Sequence, residues 1–195
     1  MPSNSLRVWR TTRARALDEM ANAHASIGGT GPGRRYATQQ VNQAYAVMVA
    51  SQFQGFCRDL HTESVTILID YLNPPALVTQ IVRNRFVEGR QLESRNAQPA
   101  SLGSDFGWFG VAFWDEANSL LADNKAAMKE LGLLNDWRNA IAHQNFTTVS
   151  PGAPPNLTLN QVRRSRRLCS RLARTFDRLM RTYLGSLIGG PLWPA

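Results

Sequence analysis

The sequence predicts an all-α protein, a single helical bundle of about five main helices that spans residues 1–195 with loose termini at residues 1–5 and 189–195. Three observations predict it. Long stretches carry apolar residues at spacings of three and four, and none alternates apolar and polar residues as a half-buried strand does. Glycine and proline clusters separate these stretches. Apolar residues make up 43% of the chain, which suits a folded core and excludes a disordered protein.

The first two helices are predicted on either side of a glycine-rich segment at residues 28–33. Residues 6–27 form the first helix, and residues 36–72 form either one long helix or two helices joined near Gly55. The glycine segment follows no strand and lacks a Gly-Lys-Ser/Thr ending, so we expect a helix connection rather than a phosphate-binding loop. The residues of the first helix at core spacing are Val8, Trp9, Thr12, Ala16, Met20 and Ala23.

The middle of the chain is predicted as a third helix followed by a long loop. The helix spans residues 75–88, because prolines suit a helix start. Its expected core residues are Leu77, Ile81, Val82 and Phe86. Residues 89–110 hold a proline, several glycines and three aromatic residues. We expect an irregular loop whose rings either stack on nucleic-acid bases or pin the loop to the core, and we favour the second interpretation.

Three helices are predicted in the last part of the chain, at residues 111–121, 125–144 and 158–187. Helix-poor sequence at residues 147–155 separates the last two. The final helix carries an apolar seam at spacings of three, four and seven, which indicates a core-facing side. This seam consists of Val162, Cys169, Leu172, Phe176, Leu179 and Tyr183.

Several classes of protein are excluded by composition. No apolar run is long enough to span a membrane, and the first residues lack the apolar core of a secretory signal, so we expect a cytoplasmic protein. The two cysteines, Cys57 and Cys169, are far apart, and with three histidines they allow no zinc-site spacing. We therefore expect no metal, no cofactor, and two buried or half-buried thiols.

The positive charge points to a polyanionic partner. The formal net charge is +8, and nearly all of the cationic residues are arginine, since the only lysines are Lys125 and Lys129. A guanidinium is a flat, bidentate donor that suits phosphate, so RNA is a plausible partner. The alternative is that GC-rich coding favours arginine over lysine without any functional consequence.

The final helix concentrates this charge. Arginines that share one of its faces, broadly opposite the apolar seam, are predicted to contact RNA phosphates: Arg163, Arg167, Arg174 and Arg178. Only Asp177 offsets them within the helix. Like charges on one helix face destabilise it unless an anion relieves them. The alternative is a solvated face, or one that pairs with acidic residues of another element or subunit.

The most informative segment is residues 134–143, at the end of the helix before the basic one. At about 100° per residue, one side of this helix carries Leu134, Trp137 and Ile141 and the opposite side carries Asp136, Asn139 and His143. Arg138 lies between the two sides and is long enough to reach around. The polar side is therefore expected to face solvent or another subunit.

These polar residues suit RNA cleavage without a metal. That reaction needs a base for the 2′-hydroxyl proton, an acid for the 5′-oxygen, and positive charge against the phosphate. His143 can act as base or acid, Arg138 can hold the phosphate, and Asn139 can hold the imidazole or a phosphate oxygen. One histidine cannot easily perform both proton transfers, so we expect a homodimer that brings two copies together across a two-fold axis.

Residues 138–143, Arg-Asn-Ala-Ile-Ala-His, resemble the R-N-x-x-x-H signature of the HEPN superfamily. The order of helices is also similar, and a finer likeness is to the HEPN group associated with RiboL-PSP proteins. HEPN proteins are all-α bundles, often dimeric. Many are metal-independent RNA endonucleases of toxin–antitoxin, phage-defence and RNA-processing systems. The resemblance implies that Arg138 and His143 are the catalytic pair, with Asn139 in support, and that an antitoxin or defence-system partner exists.

One departure from the family concerns regulation. Some HEPN proteins carry a tyrosine two residues after the histidine, to which a partner attaches AMP, and Asn145 stands there in this chain. Two alternatives to a nuclease remain open: a non-catalytic RNA-binding or regulatory module, and a structural subunit of a larger assembly. The other histidines, His24 and His61, lack the preceding arginine and are expected to be solvated at the surface.

Overall fold

The computed structural model describes residues 1–27, 34–120, 124–149, 156–190 and Trp193, and within these residues it contains seven helices and no β-strand. This confirms the predicted all-α bundle. In chain order the helices are α1, which joins Asn4–Val8, a π-helical turn at Trp9–Arg13 and Ala14–Ile27; α2, Arg34–Leu72; α3, Ala76–Arg83 with a π-helical turn at Asn84–Glu88; α4, Pro99–Gly107; α5, Phe113–Leu120; α6, Asn124–Ala142; and α7, Leu159–Ile188. Short 3-10 turns occur at Gln91–Glu93 and Phe146–Thr148.

The centre of the bundle is α2, which packs against α1, α6 and α7. It is one continuous helix about 58 Å long at 1.5 Å per residue, and not two helices joined at Gly55. The guanidinium of Arg13 in α1 lies directly over Gly55. A Cβ atom at that position would be 2.6 Å from Arg13 Nη1, so the glycine allows a close approach and does not mark a break.

The π-helical turn in α1 changes which residues face the core. A π turn contains an additional residue and so shifts the phase of the helix that follows. After Trp9 the next fully buried residue is Leu17, whereas the sequence predicted Ala16. Thr12 and Ala23, also expected in the core, are exposed.

The N-terminus is held by tertiary hydrogen bonds, although residues 1–5 were expected to be loose. Ser3 is buried and its N–H donates to the carboxylate of Asp177 in α7 (2.9 Å). The N–H groups of Asn4 and Ser5 donate to Glu63 of α2 (2.8 and 2.9 Å). These bonds satisfy the free N–H groups at the start of α1.

The segment predicted as a loop at residues 89–110 contains helix α4, so that prediction is wrong in part. Pro99 occupies the start of α4, where a missing N–H costs nothing. The aromatic residues behave as the favoured interpretation predicted, because Phe106 and Phe109 are buried in the core. Trp108 is half-buried, with the guanidinium of Arg85 4.6 Å from its ring centre.

The prediction for α3 is wrong in the first half of the helix. Leu77 and Ile81, expected in the core, are 70% and 58% exposed. Val82 and Phe86 do pack against the core, as predicted. Only the second half of α3 lies against the bundle, so the apolar residues of the first half have no neighbour to cover them among the described residues.

The final helix, α7, agrees with its prediction. Its seam from Val162 to Leu179 is buried, and Tyr183 is half-buried with its hydroxyl donating to the carbonyl of Phe109 (3.0 Å). A capping box between Thr158 and Gln161 begins the helix. No helix in the described part of the chain has the length and apolar composition to cross a bilayer. The connections expected at residues 28–33 and 150–155, and most of residues 191–195, lie outside the described residues.

Candidate functional site

The predicted motif lies on the last two turns of α6, whose opposite side is fixed in the core. Leu134 and Trp137 are buried, as predicted, and Ile141 is half-buried at the edge. The side-chain amide of buried Asn135 donates to the carbonyl of Ala97 (3.1 Å). The core and the segment before α4 therefore hold the backbone that carries the motif.

Helix α6 ends directly at His143. The His143 N–H still donates to the carbonyl of Asn139 (2.9 Å). Gln144 then adopts a left-handed conformation (φ 52°), and the Asn145 N–H donates back to the carbonyl of Ala140 (2.9 Å). This backward bond is the main feature of a Schellman ending. It stops the helix after the histidine and leaves His143 exposed on the last turn.

Arg138 and Asn139 form a hydrogen-bonded cluster with Asn96. The side-chain oxygen of Asn139 accepts from Asn96 Nδ2 (2.6 Å) and from Arg138 Nη1 (3.2 Å). Its NH₂ group donates to no acceptor among the described residues, so it is available to a bound group. Asn139 is half-buried by this contact. The expectation that it faces solvent or another subunit is therefore confirmed only in part, because the segment before α4 contacts Asn139 while His143 on the same side of α6 stays exposed.

This cluster lies at a polar cleft of about 410 Å³ between α6 and the segment before α4. The segment supplies a second guanidinium, that of Arg95, and several amides. Its position is fixed by Gln54 of α2, whose amide donates to the carbonyls of Leu92 (3.1 Å) and Arg95 (2.9 Å). Two guanidinium groups and available amide N–H donors suit a bound phosphate. The sequence did not predict that residues 91–98 form one side of the cleft. The only sign of it in the sequence is the density of amide and guanidinium side chains in this segment.

His143 does not line this cleft. It lies one turn beyond Asn139, exposed, and its side chain makes no hydrogen bond or ion pair with any residue that the structure describes. Of the three predicted catalytic residues, the structure thus brings Arg138 and Asn139 together and leaves His143 outside. An imidazole that moves protons in a reaction needs a partner to orient it, and one copy of the described chain supplies none.

The basic helix separates into paired and unpaired arginines. Two arginines at its start form ion pairs with other helices, Arg164 with Glu130 of α6 and Arg166 with Asp18 of α1. The predicted RNA contacts are all exposed, and none forms an ion pair within the described residues: Arg163, Arg167, Arg174 and Arg178. Within the described residues, ion pairing with another helix therefore accounts for Arg164 and Arg166 but for none of the four predicted RNA contacts.

Asp177 does not balance this charge. It is 4% exposed and accepts the Ser3 hydrogen bond on the side of α7 that faces α1. From Arg163 to Arg181, about 27 Å along the helix, the outer face of α7 contains no acidic side chain. This face remains strongly positive.

His61, expected to be solvated, is fully buried in α2. Its Nε2 lies 3.1 Å from the carbonyl oxygen of Asp105, and its Nδ1 lies 3.5 Å from Nη1 of buried Arg90. A neutral imidazole satisfies both contacts, donating from Nε2 and accepting at Nδ1. Burial lowers the pKa of His61 to about 4, and the positive charge of Arg90 acts in the same direction. His61 is a structural residue.

The two cysteines are buried free thiols, as predicted, and burial raises the pKa of both Cys57 and Cys169 well above the ordinary value. Among the described residues, no three His, Cys, Asp or Glu side chains lie close enough together to hold a metal ion. The described lining of the polar cleft beside Arg138 contains two guanidinium groups and no carboxylate.

No family model, curated protein or solved structure matches this chain. Function must therefore be inferred from the residues and geometry of the site itself.

Proposed function

We propose that this protein is a metal-independent RNA endonuclease of the HEPN type that acts as a homodimer. One observation carries the proposal. A rigid helix places the Arg138–Asn139 pair at a cleft suited to phosphate and presents an exposed His143 one turn later. These residues are the ones that the R-N-x-x-x-H resemblance implies, and they supply the proton transfer and the positive charge that the reaction needs.

In the proposed reaction the RNA 2′-oxygen attacks the adjacent phosphorus and the bond from phosphorus to the 5′-oxygen breaks. The products are a 2′,3′-cyclic phosphate and a 5′-hydroxyl. The imidazole of His143 in one protomer takes the 2′-hydroxyl proton, and protonated His143 of the partner subunit gives a proton to the leaving oxygen. Arg138 stabilises the charge that develops on the phosphate, and the free NH₂ of Asn139 donates to a phosphate oxygen.

The proposal of a second protomer at the site rests on the position of His143. Its side chain is exposed and has no orienting partner in the described residues of one chain, so the site is incomplete without another element. A two-fold axis close to the end of α6 would bring two imidazoles to one phosphate, and two-fold dimers are the commonest protein assemblies. The arginines on the outer face of α7, Arg163, Arg167, Arg174 and Arg178, would hold more distant phosphates of the RNA.

The biological setting proposed for this activity is a toxin or phage-defence system in the cytoplasm. An antitoxin or defence-system partner would restrain the enzyme by covering the exposed end of α6. Because Asn145 replaces the tyrosine that some HEPN proteins carry, regulation by AMP attachment at that position is not proposed.

A non-catalytic RNA-binding or regulatory module is the second candidate. The observation that favours it is the absence of His143 from the cleft, together with the unpaired arginines of α7. Such a module would bind RNA in a salt-dependent way and cleave none. It would also bind equally well after Arg138→Ala or His143→Ala.

The test is cleavage of a single-stranded RNA in excess EDTA by the wild-type protein, His143→Ala and Arg138→Ala. We expect cleavage by the wild type only, with 2′,3′-cyclic phosphate ends. His24→Ala removes a half-buried imidazole elsewhere and serves as the matched control, with activity retained. Equal cleavage by wild type and His143→Ala, or none by either, would overturn the nuclease proposal.

A mixing experiment tests the composite site. Dimers reassembled from equal amounts of wild type and His143→Ala contain about one quarter wild-type pairs if assembly is random. If both imidazoles serve one phosphate, the mixture should have about one quarter of the activity of wild-type protein at the same total concentration. If each copy acts alone, it should have about one half of that activity. The second result would remove the requirement for a dimer without removing the nuclease.

A further inference from the structure

A groove between α6 and α7 lies on the other side of α6 from the Arg138 cleft. It has a volume of about 620 Å³, and α6 contributes Ala126 and Glu130 to it. Nine residues separate Glu130 from Asn139, so at 100° per residue their side chains leave the helix about 180° apart. The same nine residues place the two sites about 14 Å apart along the helix axis.

The wall formed by α7 is a ladder of guanidinium groups. Arginines follow one another at spacings of three or four along this wall: Arg164, Arg167, Arg171 and Arg174. Of these four, only Arg164 is ion-paired within the described residues, with Glu130 across the groove. Arg166 also lines the groove and pairs with Asp18 of α1. Neighbouring like charges at this spacing repel, and a bound polyanion would relieve them.

Two further observations point to an anion. The Nε of Arg171 is buried and has no hydrogen-bond acceptor in the described residues, so this guanidinium keeps an unsatisfied donor at the wall of the groove. On α6 the only two lysines of the chain, Lys125 and Lys129, are exposed and stand next in sequence to the groove residues Ala126 and Glu130, although they do not line the groove themselves. A strand that extends beyond the groove on the α6 side would meet these cations.

We propose that this groove binds the sugar–phosphate backbone of a single nucleic-acid strand and does not distinguish RNA from DNA. The groove has a volume of about 620 Å³, which suits a short stretch of one strand's backbone and is too small to enclose a duplex. Among the described residues no aromatic side chain lines the groove, so we expect the contacts to be to phosphates and not to stacked bases. The inference extends the proposed function, since it gives the RNA a binding site separate from the cleavage site.

Binding of single-stranded oligothymidylate tests this, because DNA lacks the 2′-hydroxyl and cannot be cleaved by the proposed reaction. We expect Arg167→Glu/Arg174→Glu to weaken binding of oligothymidylate and oligouridylate alike by about tenfold or more. The slope of log K against log salt should also become shallower, by about 0.7 for each phosphate that the variant no longer neutralises. Arg10→Glu/Arg83→Glu makes the same charge change at exposed residues outside the groove and should retain most of the affinity.

Lys125→Ala/Lys129→Ala tests the cations next to the groove on α6 and should weaken binding of both oligonucleotides several-fold. Equal losses of oligonucleotide affinity in the two double-glutamate variants would overturn the proposal that the groove is the binding site. Binding of RNA but not DNA, or tighter binding of a duplex of the same length, would also overturn it. Failure of the nuclease proposal gives a different result. Oligothymidylate would then still bind in the groove while His143→Ala and the wild type cleave RNA equally or not at all.

Discussion

His61 and His143 are the same residue type in opposite surroundings. His61 lies in the middle of the central helix with both ring nitrogens in contact with protein groups, and burial lowers its pKa to about 4. His143 lies at the end of α6, exposed and without a hydrogen-bond partner in the described residues. The first is fixed and neutral at physiological pH, and the second is accessible to a substrate or a second subunit. Position within the fold therefore separates a structural histidine from a candidate catalytic one.

The largest expected effect is on activity at the exposed histidine. His143→Ala should reduce RNA cleavage by about 10²–10⁴-fold, the range attributed to a single general acid or base. Its unfolding free energy should change little, because the imidazole is exposed and forms no hydrogen bond or ion pair in the described residues. Cleavage rates and urea unfolding of the same preparations measure both quantities. A large loss of stability would mean that His143 is structural, as His61 is.

The second prediction concerns pH and the buried histidine. Unfolded chains protonate His61 below about pH 6.5, whereas the folded protein does so only near its pKa of about 4. Between about pH 6.5 and pH 4 the unfolded state therefore binds more protons than the folded state. As the pH falls through this range, protonation of His61 in the unfolded state should lower the free energy of unfolding by about 3 kcal/mol. Above pH 6.5 this contribution to stability is fully present.

Urea unfolding at pH 4 to 7.5 checks this when the wild type is compared with His61→Gln, which cannot titrate. We expect the difference in unfolding free energy between the two proteins to shrink by about 3 kcal/mol toward acid pH. Gln40→Ala, a change at an exposed residue that does not titrate, is the control over the same range and should follow the wild type closely. A constant difference between wild type and His61→Gln would show that His61 is not buried in solution.

Periodicity predicted the elements of this molecule better than their contacts. The arrangement of α6 followed from rotation by 100° per residue, which placed Leu134 and Trp137 in the core and His143 outside. The contact of Asn139 with Asn96 joins residues 43 positions apart. No local pattern reports which distant segment covers a helix face, so the cleft and its second guanidinium could not be predicted.

The surroundings of His61 were misjudged for the same reason. Two carboxylates flank it in the sequence, Asp59 and Glu63, and charged residues are typical of an exposed helix face. In the structure Asp59 pairs with Arg13, and Glu63 accepts hydrogen bonds from the start of α1. Both carboxylates therefore have partners from a helix far away in sequence, while the histidine between them points into the core.

A smaller effect is expected at the contact that fixes Asn139. Asn96→Ala removes the 2.6 Å hydrogen bond to the Asn139 side chain and should slow cleavage by about fivefold, which corresponds to the ~1 kcal/mol of one hydrogen bond. Gln98→Ala changes an amide of the same cleft that has no side-chain bond to the motif, and it should have a weaker effect. Equal effects would indicate that the amides bind substrate directly and that Asn96 does not position Asn139.

The smallest effect is expected where α6 ends and exposes His143. Gln144 holds a left-handed backbone conformation that favours glycine (φ 52°). Gln144→Gly and Gln144→Ala both remove the side-chain hydrogen bond to the carbonyl of Ile141. Only the glycine variant also removes the backbone strain of the left-handed conformation, because glycine has no Cβ. We therefore expect the glycine variant to be about 1 kcal/mol more stable than the alanine variant by thermal or urea unfolding. Both should cleave RNA at the wild-type rate, because neither moves the last turn of α6. Equal stability would mean that the helix continues past His143 in solution, and the histidine would then be presented differently from the way proposed here.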